Sequence, residues 1–270
     1  MAPPILPRRG GTYLSEEVVC IKKIFGVVIL IKNINQKTSN FEFPLLGRGV
    51  GVRLMSINTK QYQKILTELD GKATLVAVSK TKPVEDILAM YDLGQRDFGE
   101  NYVQELTEKY EQVPKDINWH FIGHLQSNKV KYIAPFVHLI HGVDSEKLLK
   151  EINKQAAKNN RTINCLLQVH ISAEETKFGF DADELAALLK SDLTQLKNVN
   201  ICGLMGMASF TEDNDLIKKE FATLKSIYNN YPQFSTLSMG MSADYAFAME
   251  AGSNMVRIGS LLFGSRIYTN

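Results

Sequence analysis

The 270-residue chain is 44% hydrophobic and 22% charged, an ordinary globular composition that supports one large core. Its formal charge of +2 hides an asymmetry, because residues 1–54 hold eight Lys/Arg against three Asp/Glu, leaving 23 against 26 for the remainder. A mildly acidic body without like-charge runs is poorly built to neutralise a phosphate backbone, so nucleic acid is not expected as a partner.

Residues 1–54 read differently from the rest, with Pro3, Pro4, Pro7, Gly10 and Gly11 ahead of one apolar burst, then Gly47, Gly49 and Gly51. The burst, Ile24 to Ile31, follows Lys22 and Lys23. It is far shorter than the ~20 apolar residues of a membrane span and lacks a small-residue cleavage site, so neither a span nor a secretory signal is expected. Met55 is read as the biological start, residues 1–54 as a non-native or disordered leader, and residues 55–270 as the folded domain. Cys20, Cys165 and Cys202 are odd in number and show neither metal-ligand nor Cys-x-x-Cys spacing. Reduced thiols in a cytoplasmic protein are the expectation.

After an opening helix near residues 59–69, short β-branched runs alternate with longer stretches of helical period, the signature of consecutive βαβ units. Strands are expected at Thr74 to Ser79, Asp97 to Glu100, Trp119 to Ile122, Val137 to Gly142, Asn164 to Ile171, Asn200 to Met205, Thr236 to Ser238 and Val256 to Ile258. Helices are expected to begin at Pro83 as a first helical position, and after Asp144-Ser145, Asp181 and Asp213. Gly94 and Gly252 are expected to close helices. Eight such units in about 210 residues predict a single TIM-type (β/α)8 barrel with an extra N-terminal helix. An open doubly wound sheet is the alternative, weakened by the lack of a G-x-G-x-x-G turn after the first strand.

In a barrel of this kind chemistry collects at the carboxyl ends of the strands. The first strand ends in Ser79-Lys80-Thr81-Lys82-Pro83, which puts a long amine at the mouth, where desolvation disfavours the ammonium and frees a nucleophile. Taken alone, Lys80 and Lys82 read more readily as solvated loop lysines. Strands seven and eight run into Ser238-Met239-Gly240-Met241-Ser242 and Arg257-Ile258-Gly259-Ser260. Hydroxyls and Gly backbone N–H groups at these two strand ends suit a phosphate. Together these residues offer an amine for an aldehyde and a cradle for a phosphate.

The segments Ala77 to Pro83, Phe98 to Glu105, Trp119 to Lys129, Gly203 to Met205, Ser238 to Ser242 and Met255 to Gly259 resemble the pyridoxal phosphate homeostasis protein family, in order, from about Met55 onward. That family is similar in turn to the N-terminal barrel of alanine racemase. The resemblance implies pyridoxal 5'-phosphate (PLP) as cofactor, Lys80 as the Schiff-base lysine, Ser242, Gly259 and Ser260 around the phosphate, and Arg257 facing the pyridine nitrogen. It also implies contact of Asn101 with the ring or its lysine. Met205 and Met207 are read as pocket floor or core filling. An Arg opposite the ring nitrogen weakens the cofactor as an electron sink.

Racemisation needs acid and base groups on both faces of the α-carbon, one supplied in alanine racemase by a second domain that this chain, ending at Asn270, is expected to lack. The expectation is therefore a non-catalytic PLP carrier that contacts PLP-dependent apoenzymes transiently, with no membrane partner. A small amino-acid racemase is the alternative, and a sugar-phosphate aldolase using Lys80 a third reading. Among the other candidates, His120 and His124 are not expected to bind zinc, since a strand and a Gly separate them. His124 replaces a Pro common in the family motif. His138 and His141 read as strand packing and rim residues, Tyr102 as packing, Asn128 and Lys129 as pocket or cap, and Trp119 as a core anchor.

Overall fold

The computed structural model describes residues 18–24, 27–32, 57–174 and 178–264. The chain divides into two compact units, Met1–Met55 and Ser56–Asn270. In the first, strands β1 (Val18–Ile24) and β2 (Val27–Lys32) pair antiparallel, with Ile24 opposite Val27. Residues 1–17, 25–26 and 33–56, which carry most of the expected leader and the expected start at Met55, lie outside the described residues.

The second unit is a closed barrel of eight parallel strands: β3 (Thr74–Val78), β4 (Asp97–Glu100), β5 (Asn118–Phe121), β6 (Leu139–Val143), β7 (Ile163–Gln168), β8 (Val199–Met205), β9 (Thr236–Ser238) and β10 (Met255–Ile258). Pairing of β10 with β3 in register from Met255–Thr74 to Ile258–Ala77 closes the ring and excludes the open sheet. The outer helices, in order, are α1 (Thr59–Leu69), α2 (Val84–Asp92), α3 (Val103–Gln112), α4 (Val130–Ile133), α5 (Glu146–Lys158), α6 (Ala182–Lys190), α7 (Asn214–Asn229), α8 (Tyr245–Glu250) and α9 (Ser260–Phe263).

Local sequence explains these elements. The extra helix α1 starts where the Asn58 side chain accepts from Gln61 N, and it buries Tyr62, Ile65 and Leu69 on one face. Ser145 caps α5 through Leu148 N, and Asp181 and Glu184 form a reciprocal capping box at α6. Asp213 caps α7, and Gly94 and Gly252 take φ of 98° and 89° just beyond α2 and α8. Pro83 differs from expectation: it is the extended N-cap of α2 rather than its first helical residue. Strand β7, expected to run to Ile171, also stops early. Beyond Gln168 only Val169 still pairs, through an isolated bridge to Phe180.

Inside the barrel, Val76, Leu139, Leu166, Met205 and Met255 form one buried cluster drawn from five strands. Trp119 is fully buried and packs its ring 6.1 Å from that of Phe98, as an anchor should. Among the described residues no helix is long and apolar enough to cross a membrane.

Candidate functional site

A cavity of about 500 Å³ opens where the strands end. Its wall draws on Val78, Lys80 and Lys82 after β3, Asn101 after β4, Ile122 after β5, residues 207–211 after β8, residues 241–244 after β9, and Arg257, Gly259 and Ser260 from β10 and its turn. Six sequence-predicted residues, Lys80, Asn101, Ser242, Arg257, Gly259 and Ser260, are thus brought to one space. Met205 is not. It is 1% exposed in the barrel cluster, and Met207, two residues beyond the strand end, lines the cavity instead.

Lys80 is half-buried and held by its neighbours. Ser79 is fully buried, and its hydroxyl donates to Glu100 Oε1 at 2.6 Å. Thr81 takes a left-handed φ of 63° and donates its N–H to Glu105 Oε1 at 2.6 Å. Lys109 bridges the two acids, reaching Glu100 Oε1 at 2.7 Å, Glu105 Oε1 at 2.6 Å and the Ser79 carbonyl at 2.8 Å. Burial pushes the Glu100 carboxyl up to about 7, against the opposing pull of Lys109 and the Ser79 hydroxyl. This brace holds Ser79 and Thr81, the residues on either side of Lys80, and was not singled out in the sequence. Its available signal was Glu100, an acid closing the short strand that ends beside Asn101.

Opposite, Gly259 donates its N–H to Ser242 Oγ at 3.2 Å, joining the turns after β9 and β10. A Cβ on Gly259 would stand 3.2 Å from the Val78 carbonyl oxygen, so only glycine lets this turn approach β3 without displacement. Gly240, at φ 97°, shapes the preceding turn, where a Cβ would meet Ala248 Cβ at 2.6 Å. Arg257 is 4% exposed and donates from Nη1 to the Ser238 carbonyl (3.0 Å) and hydroxyl (2.6 Å), and from Nη2 to the Gly206 carbonyl (3.1 Å). Burial lowers its guanidinium to about 10, partly offset by Asp244, so it stays a cation at neutral pH.

The loops after β7 and β8 share a clamp. Glu220 of α7 accepts from Ala173 N (3.0 Å), Ser209 N (2.7 Å) and Ser209 Oγ (2.6 Å), and Glu174 accepts from Phe210 N at 2.9 Å. Phe210, 95% exposed, stands on the cavity lip they hold.

Other candidates fall elsewhere. Lys82 lines the cavity but gives its ammonium to the Phe263 carbonyl at 2.7 Å. His124 pairs with Asp144 at 2.9 Å, stacks on Phe178 with ring centroids 4.1 Å apart, and is outside the cavity wall, as are Tyr102, Asn128 and Lys129. His141 is fully buried in the barrel interior, not on the rim.

The donor set fits a phosphate-bearing aldehyde. Lys80 supplies an amine, while Ser242 and Ser260 bring hydroxyls to the wall beside the Gly259 turn. Asn101 Oδ1 is buried on the same wall with no hydrogen-bond partner from the protein, which fits a donor on a bound molecule.

Fold and site together define a lysine-bearing barrel of the type described as "Alanine racemase, N-terminal domain", which matches residues 55–267. Curated relatives include the pyridoxal phosphate homeostasis proteins of Aquifex aeolicus, 42% identical over 73% of this chain and 88% of that protein, and of Homo sapiens, 38% identical over 82% and 88%. PipY of Synechococcus elongatus, solved with PLP bound, superposes with a TM-score of 0.69 at 33% identity, covering 76% of this chain and 99% of PipY. An alanine racemase of Clostridium difficile shares the fold alone, at a TM-score of 0.64 and 13% identity over 78% of this chain and 57% of the racemase. The chain belongs to the pyridoxal phosphate homeostasis protein family.

Proposed function

We propose that this chain binds PLP covalently at Lys80 and acts in PLP homeostasis as a carrier rather than as an enzyme. The observation that carries the reading is the convergence of Lys80, Asn101, Arg257 and the Ser242–Gly259 turn on one cavity. When bound, PLP would supply an aldehyde for the Lys80 amine to hold covalently. Ser242, Ser260 and the Gly259 turn would hold the phosphate. Asn101 would offer its acceptor to the cofactor or to the lysine. Arg257, a fixed cation, would face the pyridine nitrogen and disfavour its protonation, which weakens electron withdrawal from a bound amino acid. Met205 would act behind the site, as packing. The names of the relatives support a homeostatic role. Its proposed setting is the cytoplasm and its proposed route is transient contact with PLP-dependent apoenzymes.

The test is an absorption spectrum of the protein beside Lys80→Ala, with borohydride reduction and peptide mapping. The expected result is a band near ~420 nm that reduction fixes onto Lys80 and that the variant lacks. Failure of the protein to take up PLP would sink the reading. Exchange of the α-hydrogen of a free amino acid with solvent would sink the carrier role and favour the racemase.

A further inference from the structure

Arg257 does not stand alone behind the cavity. Ser238 Oγ, which accepts from Arg257 Nη1 at 2.6 Å, lies 3.1 Å from His141 Nδ1. His141 Nε2 lies 2.9 Å from His120 Nδ1, and His120 Nε2 lies 3.0 Å from Asp97 Oδ1. Ser238 and His141 are completely buried, His120 is 1% exposed, and the Asp97 side chain is 25% exposed. The contact between His141 on β6 and Ser238 on β9 joins strands that are not neighbours in the ring, so the chain crosses the barrel interior. Asp97 opens β4, at the end remote from the cavity.

The two ends fix the direction of every proton. Arg257 can only donate and an ionised Asp97 can only accept. With Ser238 Oγ accepting from Arg257, the Ser238 hydroxyl donates to His141 Nδ1. His141 then carries its proton on Nε2 and donates to His120 Nδ1, and His120 donates from Nε2 to Asp97. Burial holds His141 well below the usual imidazole range, with His120, Arg257 and His138 adding to the effect. The groups facing this pair are Asp97, Arg257 and His138, whose ring lies 5.5 Å from that of His120. The reverse direction needs a cationic His120, strands the Ser238 hydroxyl without an acceptor and puts a second cation in the same core.

We propose that Ser238, His141, His120 and Asp97 form a one-way hydrogen-bond relay that positions the Arg257 guanidinium at the cavity wall and couples it to a carboxylate at the far end of the barrel. His141 and Asp97 are positioning residues in this scheme. The consequence for the cofactor rests on the PLP reading above, but the relay itself does not. An all-apolar filling would pack these strands as well, and a fully satisfied polar chain holds one geometry that an apolar core would not impose.

The experiment has an arm independent of PLP. Long-range ¹H–¹⁵N spectra of the histidines in the ligand-free protein should show His141 and His120 neutral, each protonated on Nε2 alone. A cationic His120, or His141 protonated on Nδ1, would overturn the relay. In the second arm Asp97→Ala, far from the cavity, removes the terminal acceptor. It should redistribute the His120 and His141 tautomers, move the absorption band of the PLP-loaded protein, and raise the PLP dissociation constant on the order of tenfold, equivalent to about 1.4 kcal/mol. Asp97→Asn, which keeps an acceptor without charge, should restore the tautomers in part. Unchanged tautomers and an unchanged band in Asp97→Ala would refute the coupling. A wild-type protein that takes up no PLP would instead refute the cofactor reading, leaving the tautomer result to decide the relay.

Discussion

Lys109 places its ammonium 2.7 Å from Glu100 Oε1 with side-chain exposures of only 7% and 0%, directly behind the peptide that carries Lys80. Because burial raises Glu100 from 4.5 to about 7, the folded chain holds this proton more tightly than the unfolded chain does. Between those two values the folded state binds more protons, so this group's contribution to stability falls as pH rises through that window. Urea unfolding of the wild type and Glu100→Gln across about pH 4 to 8 should show a decline that the variant lacks. Lys109→Met should cost about 3 kcal/mol above the window, where it strands a buried carboxylate, and clearly less below it.

Gly259→Ala should separate binding from stability. The backbone there has φ of −122°, which alanine adopts freely, but its Cβ would press on Val78 at 3.2 and 3.3 Å, just ahead of Lys80. PLP affinity measured by equilibrium dialysis should weaken on the order of tenfold, or about 1.4 kcal/mol. Chemical denaturation should change by less than about 1 kcal/mol.

Gly240→Ala should do the opposite, acting first on the fold. A left-handed φ of 97° and a contact at 2.6 Å to Ala248 Cβ add strain to overpacking. The expected loss is about 2 kcal/mol or more, read as a fall of roughly 5 °C or more in Tm.

Trp119→Phe should be milder than its burial suggests. The indole is fully buried, yet its Nε1–H has no hydrogen-bond partner. Phenylalanine loses volume but removes that unsatisfied donor, worth about 1–3 kcal/mol. Thermal unfolding should therefore place it well above Trp119→Ala, for which about 3–5 kcal/mol is the usual loss.

The barrel was legible because short strand runs alternate with helices that are announced by their caps, and Asp97 to Glu100 and Thr236 to Ser238 match the observed strands residue for residue. Where boundaries moved, pairing rather than propensity decided. The run through Ile171 is apolar enough for a strand, but past Gln168 the pairing shrinks to the isolated Val169–Phe180 bridge and the His170 N–H bond to the Phe180 carbonyl. At the site, the convergence of Lys80, Asn101, Ser242, Arg257, Gly259 and Ser260 followed from their strand-end positions. The end of β8 at Met205 was expected, but a strand end alone does not say that Met205 turns into the barrel cluster while Met207 reaches the cavity. The Lys109 brace and the histidine relay were hidden for a different reason. Asp97, His120, His141, Ser238 and Arg257 come from five strands, and each reads alone as an ordinary strand residue. Only closure of the barrel brings them into line.

The buried Glu220 carboxylate fastens Ser209 on the cavity lip to Ala173 beside it by accepting three hydrogen bonds. The conformational entropy of that lip is therefore surrendered during folding, not when a ligand arrives. An incoming molecule meets an already shaped opening and need not wait for a search among loop conformers. The same economy holds in reverse, since departure requires no reordering of these segments and the lip adds little to the barrier against release.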